Sequence, residues 1–378
     1  MMLQYKLSGH KTRRIVFENA FSVLDSASLE QLKELTAKRR FIEESINQTS
    51  CITEATAREM HGGLTSRRQQ DLLRLEQYLP LLTNLILQVE SVSASQSINQ
   101  QISNLRVQWA SALGSSSAFK LKGPKFYQID SLKYELGMTL FVYGATLRER
   151  AFEVLSEDLQ QCASLLKKAA GVYSYLNDEV LPSLQPILPP ERPPEATTAL
   201  SSVMTLICLA EAQAIAIKKA ETMEISAGAL AKLHYGVSQF LVEASALLQS
   251  LSRECTDISG NFVEFIHTCR TLHELRSCRH VAESYRQSDE LGIAIGLLRR
   301  TLNAVHKNTP TEPSWRTVFK QEIKDISEML DKYKDENGFG WRQKIPLDSE
   351  LPALEGTKMA TPILYAPQKW EREIAFKT

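Results

Sequence analysis

The run from Ala199 to Ala220, ALSSVMTLICLAEAQAIAIKKA, constrains this chain more than any other stretch. Pro193 and Pro194 stop whatever precedes it, Thr197 or Thr198 can cap it, and Lys218 with Lys219 close it where a helix dipole favours cations. Before Lys218 its only charged residue is Glu211 and its only amide is Gln213. A helix that is apolar on nearly every side must be surrounded by protein. Its many alanines and serines let neighbouring helices approach closely. At about 100° per residue, Ile207, Glu211, Ala214 and Lys218 share one narrow sector. Two charges in that sector predict that it reaches water, with Ile207 an apolar side chain beside a polar opening. A membrane span is disfavoured, because the uncharged run falls short of the roughly 20 residues a bilayer needs.

The rest of the chain reads as helix after helix. Ser28 to Ile46 carries Leu29, Leu32, Leu35 and Ile42 along one side, and a shorter helix is expected from Glu54 to Met60, ending at Gly62 and Gly63. Thr65 is placed to cap a long amphipathic helix whose buried stripe includes Leu72, Leu75, Leu79, Leu82, Leu85, Ile86 and Val89. Ser91 to Gln101, rich in Ser, Gln and Asn, reads as a loop, and Trp109 and Phe119 flank a Ser-rich connection ending at Gly123 and Pro124. Ile129 to Leu155 and Asp158 to Leu176 make an antiparallel pair. Six of the 14 prolines then crowd VLPSLQPILPPERPPE, which predicts a stiff extended connector over 180–196. Beyond the Ala199 helix, Ser226–Leu251, Gly260–Tyr285, Asp289–Val305 and Pro313–Tyr333 continue the series, and 335–378 turns irregular.

Residues 1–27 differ, since Met2 to Leu7 and Arg14 to Phe21 alternate weakly and suggest a small N-terminal hairpin or sheet. The whole is expected to be all-α, an elongated helical solenoid built from successive helix pairs, although no exact repeat occurs.

Charge and cysteine usage narrow the function classes. Lys and Arg number 44, as do Asp and Glu, so no global field steers the chain onto nucleic acid. Cysteines at 51, 162, 208, 255, 269 and 278 sit in apolar patterns and are expected as reduced, buried thiols in a cytosolic setting. The N-terminus shows no signal-type apolar run and REIAFKT holds no cysteine for prenylation. Membrane contact would then rest on a partner or on the basic clusters Lys11, Arg13, Arg14 and Lys38, Arg39, Arg40, which are more simply solvated faces.

Chemistry-bearing motifs are sparse. HTCRTLHELRSCRH gathers His267, Cys269, His273, Cys278 and His280, and Cys269, His273 and His280 share a helical face. Zinc sites usually draw ligands from a turn and a second element, and this spacing matches no standard finger, so no metal is assigned. GHKT at 9–12 lacks the upstream glycine of a phosphate loop. No G-x-S-x-G, H-E-x-x-H or C-x-x-C occurs, so the chain is expected to be neither an enzyme nor a cofactor carrier. The Pro-rich segment 182–194 fits an aromatic-lined groove in principle, but an interhelical linker explains it without a partner.

Four segments resemble the Bro domain, the helical module of ALIX-type accessory proteins of the ESCRT machinery. They are LKKAAGVYSYL at 166–176, TLICLAEAQ at 205–213, LGIAIGLL at 291–298, and the tail pair DENGFGWRQKIP at 335–346 and GTKMATP at 356–362. Their order spans about residue 28 to 370 and is similar to the plant-type, endosome-targeting branch. GMTLFVYGA at 137–145 departs from the family's usual asparagine and paired alanines. The resemblance implies a tetratricopeptide-like core, one Bro-like domain over 28–370, a tail that wraps back over the body, and an apolar patch that receives the amphipathic C-terminal helix of an ESCRT-III subunit. By position it places that patch at Ile207, with Val203 and Glu211 beside it, and at Ile295, Leu298 and Leu302 on the later helix. Exposed aliphatics on neighbouring helices are what a helix-in-groove site requires. It further implies a cytoplasmic protein recruited to endosomes or multivesicular bodies. A different face that binds ESCRT-I or another adaptor is the alternative.

Overall fold

A computed structural model describes residues 2–7, 9–47, 66–92, 96–114, 123–254, 258–305 and 309–377, and of 252–254 the backbone alone. In chain order the elements are β1 (Lys11–Thr12), α1 (Phe17–Ala20), α2 (Ser26–Asn47), α3 (Arg67–Ser91), α4 (Gln96–Ser103), β2 (Gln108–Ala110) and β3 (Phe126–Gln128). There follow α5 (Leu132–Glu153), α6 (Leu159–Tyr175), α7 (Leu181–Leu184), α8 (Thr198–Glu221), α9 (Ala227–Glu254), α10 (Gly260–Gln287), α11 (Leu291–Val305) and α12 (Pro313–Glu336).

The long helices pack in sequence order: α2 on α3, α3 on α5, α5 on α6, α6 on α8, then α8 through α12 each on the next. That succession is a solenoid, in which each element buries its apolar stripe mainly against its neighbours. Helix starts are set by short polar side chains. Ser131 Oγ accepts from Tyr134 N–H, Asp158 from Gln160 and Gln161 N–H, and Thr197 from Leu200 N–H. α8 is long and apolar enough by composition to cross a membrane, but 72% of its most apolar window is buried among the other helices. It is a core helix.

Several expectations need correction. β1 does not pair within the first 27 residues; it pairs antiparallel with β2, which pairs with β3, so the sheet is completed by residues about 100 positions away. Weak local alternation carries no information about so distant a partner. Gln96–Ser103 is helical, with Ile98 buried beneath it, where polar composition suggested a loop. The Pro-rich connector is partly helical: α6 runs through a π-turn at Leu176–Val180 into α7, and 3₁₀ turns occupy Gln185–Ile187 and Pro194–Ala196. Pro182, Pro186 and Pro194 each sit in a first turn, where the missing N–H costs nothing. Ser66, not Thr65, caps α3 by accepting from Gln69 N–H at 3.1 Å. The helix expected at 54–60, Thr65, and Cys51 and Cys255 lie outside the described residues.

Arg39, grouped with surface cations by sequence, is fully buried. Its Nε donates to Glu135 Oε1 at 2.5 Å, and the same carboxylate accepts from Tyr78 Oη at 3.1 Å and Trp109 Nε1 at 2.7 Å. This shared anion ties α2, α3, β2 and α5 together, and removing any donor would leave buried charge short of partners. Glu195, also fully buried, accepts from Ser111 Oγ and Ala112 N–H and pairs with His10 at 3.2 Å, anchoring the Pro-rich connector to the N-terminal region.

The tail wraps the body. Thr357 N–H donates to Lys232 O, Ile363 N–H to Lys167 O, and Lys377 N–H to Ser22 O, so one extended strand of chain crosses α9 and α6 and ends beside α1. Two glycines make this possible: a Cβ at Gly171 would lie 1.7 Å from Ile363 O, and one at Gly236 2.0 Å from Thr357 O. Gln213 fixes the crossing, its Nε2 donating to Thr357 O and its Oε1 accepting from Met359 N–H at 2.8 Å. The lone amide on α8 is a clasp for the tail.

Candidate functional site

The sector of α8 singled out by helical periodicity divides into two environments. At its upper end Ile207 is 1% exposed and Glu211 6%. Glu211 needs no water because Arg148 of α5 meets it with two hydrogen bonds, Nε to Oε2 at 2.7 Å and Nη2 to Oε1 at 2.5 Å. The remaining guanidinium edge donates from Nη1 to Tyr5 O at 2.7 Å. That bond draws residues 2–7 across the helix: Met2 and Leu3 line the same small void as Ile207, and Tyr5 packs on Phe262 and Phe265 of α10. Trp315 Nε1 holds the segment from the other side through Gln4 O at 3.2 Å.

The expected opening at Ile207 is therefore closed by a guanidinium and by the chain's own N-terminal segment. Val203, Ile295 and Leu298 are each fully buried as well, and only Leu302 of the six sequence-derived positions is partly exposed. Ile295 and Leu298 belong to the main helical core, whereas the tail residue Leu351 packs on another part of α11, against Gly296 and Leu297. A periodicity argument could not see the cover over Ile207, since it comes from a sequence-distant segment.

At its lower end the sector does open. Ala214 and Lys218 border a groove of about 710 Å³ enclosed by α8, α10 and α12, with Met2 and Leu155 at one side. Its apolar lining includes Leu155, Ala214 and Val318, all partly exposed, and its α10 wall carries Arg276 and Arg279. Those cations are matched by α12: Arg276 Nε meets Glu322 at 3.0 Å, and Arg279 meets Glu322 at 3.1 Å and Asp325 at 3.6 Å.

The His/Cys-rich run on α10 disperses in part. His267 is exposed, Cys269 borders the void beneath Ile207, and Cys278 accepts from Thr301 Oγ1 at 2.6 Å. His273 and His280, two turns apart, converge instead on His234 of α9, whose ring stacks on His280 at 5.4 Å and whose Nδ1 lies 3.0 Å from His273 Nδ1. Burial pushes all three imidazoles below their ordinary range, His280 to about 4, so they are neutral near pH 7. His234 sits in no recognisable motif and could not have been linked to α10 by spacing. The four described cysteines are free, and burial pushes the Cys162 thiol up to about 12, leaving it unreactive.

Comparison with known proteins decides the family. Residues 36–377 match the model of the BRO1-like domain. The chain belongs to the BRO1-like domain family. Within it, the BRO1 domain-containing protein BROX of Homo sapiens is 25% identical over 243 residues, which cover 61% of this chain and 57% of BROX. The Danio rerio protein of the same name is 22% identical over 294 residues, 74% of this chain and 69% of its own. The match to human BROX thus spans little more than half of that relative's length. Among solved structures, the BRO1 domain in the ALIX BRO1–CHMP4C complex superposes with a TM-score of 0.68 at 17% identity, covering 97% of this chain and 95% of that one. A Bro1 domain described in connection with endosomal targeting gives 0.70 at 14% identity, covering 98% and 94%. These superpositions show that the helical fold is shared.

Proposed function

We propose that this BRO1-like domain is a non-enzymatic binding module that receives an amphipathic helix, of the kind found at the C-terminus of ESCRT-III subunits, in the groove between α8, α10 and α12. The observation that carries it is the groove itself: an open channel with an apolar lining at Leu155, Ala214 and Val318 and charged walls, beside the α8 segment that resembles the family's partner-binding run. An amphipathic helix lays its apolar face into such a channel and keeps its polar face toward the charged rim. The solved ALIX BRO1–CHMP4C complex supports the class of partner. Recruitment to endosomal membranes would follow from the partner. Ile207 and Val203 are then core positions of the helix that walls the groove, whereas Ile295, Leu298 and Leu302, on α11, lie apart from its lining.

The test is titration of the full chain with a labelled ESCRT-III C-terminal helix peptide. Ala214→Asp, at a partly exposed position, should weaken binding at least tenfold while the urea midpoint stays near that of the wild type. Unchanged affinity in a folded Ala214→Asp variant would remove the groove assignment. Recovery of ESCRT-I without ESCRT-III from a pull-down would point to the other face.

A further inference from the structure

We infer that Glu221, His234 and His280 form a binding site for a zinc-class divalent metal ion at the edge of the groove. The three residues come from three helices, the last residue of α8, the N-terminal third of α9 and the C-terminal third of α10, and one donor atom from each lies within 4.8 Å of the others. Two imidazoles and a carboxylate are the donor types that zinc takes in sites with three protein ligands and one open position. Sequence-distant donors brought to one point are also what the linear spacing on α10 failed to supply.

A second observation stands apart from that proximity. His234 is 2% exposed, and its Nε2 has no hydrogen-bond partner, Glu221 Oε1 being 3.9 Å away. His280 Nε2 is likewise buried and unpartnered. Unpaired buried nitrogens are costly, and two of them aimed at one carboxylate are explained together if a cation sits between. The rear of the site is organised as metal sites require. For Nε2 of His234 to present its lone pair, the ring proton must sit on Nδ1, and His273 Nδ1, 3.0 Å away, is there to accept it. His273 therefore orients the ligand without touching the metal.

Access agrees with this geometry. Arg276 and Arg279, the nearest cations, are engaged by Glu322 and Asp325 and do not set an unscreened positive field against an incoming ion. Glu221 is exposed and can close the donor set toward the spacing of about 3.3 Å that tetrahedral zinc needs. The groove that Glu221 and His234 line provides the entry path. The site stands whether or not a helix occupies the groove.

Isothermal titration of the full chain, stripped by chelator and then given ZnCl₂, should show one equivalent bound with micromolar or tighter Kd. His280→Ala and Glu221→Ala should each weaken binding at least tenfold, whereas His267→Ala, an exposed histidine on the same helix, should leave it unchanged. Substituting Co²⁺ should give the intense visible band of four-coordinate cobalt in the wild type and in His267→Ala, and lose it in His280→Ala. No binding at 100 µM zinc, or binding lost in His267→Ala and kept in His280→Ala, would overturn the assignment.

Discussion

Two halves of one helical sector meet opposite fates in this molecule. Ile207 and Glu211 share a face of α8 with Ala214 and Lys218, yet the first pair is enclosed and the second borders an open groove. The helix itself does not differ between them. What differs is the cover: Arg148 reaches Glu211 from α5 and holds the segment that lies over Ile207, whereas among the described residues Ala214 and Lys218 stay at the border of the groove. A charged residue on an apolar helix demands compensation, and either water or a guanidinium will serve. Periodicity locates the face; only the tertiary partner decides whether that face is a surface.

The contrast breaks most sharply at Arg148. Arg148→Ala would leave Glu211 buried without its counter-charge and free the backbone oxygen of Tyr5. The expected loss is about 3 to 5 kcal/mol in urea unfolding, the usual result of removing one partner of a buried pair. A loss below about 1 kcal/mol would mean that Glu211 is already solvated and that the roof over Ile207 stands open. Adding Glu211→Gln to Arg148→Ala should recover part of the loss, because the stranded charge is then gone.

How much of this was legible beforehand follows the same division. Long helices with a strong apolar stripe were readable to within a few residues, as α8, α10 and α12 show, since burial repeats every turn and caps such as Thr197 mark the ends. Order and spacing of LKKAAGVYSYL, TLICLAEAQ and LGIAIGLL carried the family, and the wrapping tail came with it. A small sheet involving the N-terminus was legible, but its pairing was not, because Lys11–Thr12 finds its partner at Trp109–Ala110. The proposed groove was legible only in part: Lys218 and Ala214, in the sector that periodicity singled out, border it, while Ile207, Val203, Ile295 and Leu298 are core. His234, Glu221 and Arg148 carry no local signature, and each acts through a residue more than ten positions away.

A smaller effect sharpens the open end through pH. Burial lowers His234, His273 and His280 in the folded chain, whereas in the unfolded chain each titrates near its ordinary value of about 6.5. Below that value the unfolded state takes up protons that the folded imidazoles refuse, down to about 4 for His280, so stability must fall as pH drops from 7 to 5. Glu221, Arg276 and Arg279 face the cluster, and the Glu221 carboxyl is held below its ordinary range, so it does not titrate in this window. The contribution of His280 should be about 2 kcal/mol between pH 7 and 5. Urea midpoints at the two pH values should differ less in His280→Gln than in the wild type, and an identical drop in both would detach His280 from the effect.

Lys218 provides the weakest and most telling comparison with Arg148. Both are cations at the margins of the same α8 sector, but Lys218 is exposed at the helix C-terminus, where it interacts with the helix dipole and with water. Lys218→Ala should therefore change stability by no more than about 0.5 kcal/mol, and the change should shrink further as salt is raised. Arg148→Ala, screened by protein rather than by ions, should keep its full effect in the same salt series. If Lys218→Ala instead costs more than about 1.5 kcal/mol and resists salt, the cation is held in a desolvated network, and the groove is closed where it is described as open.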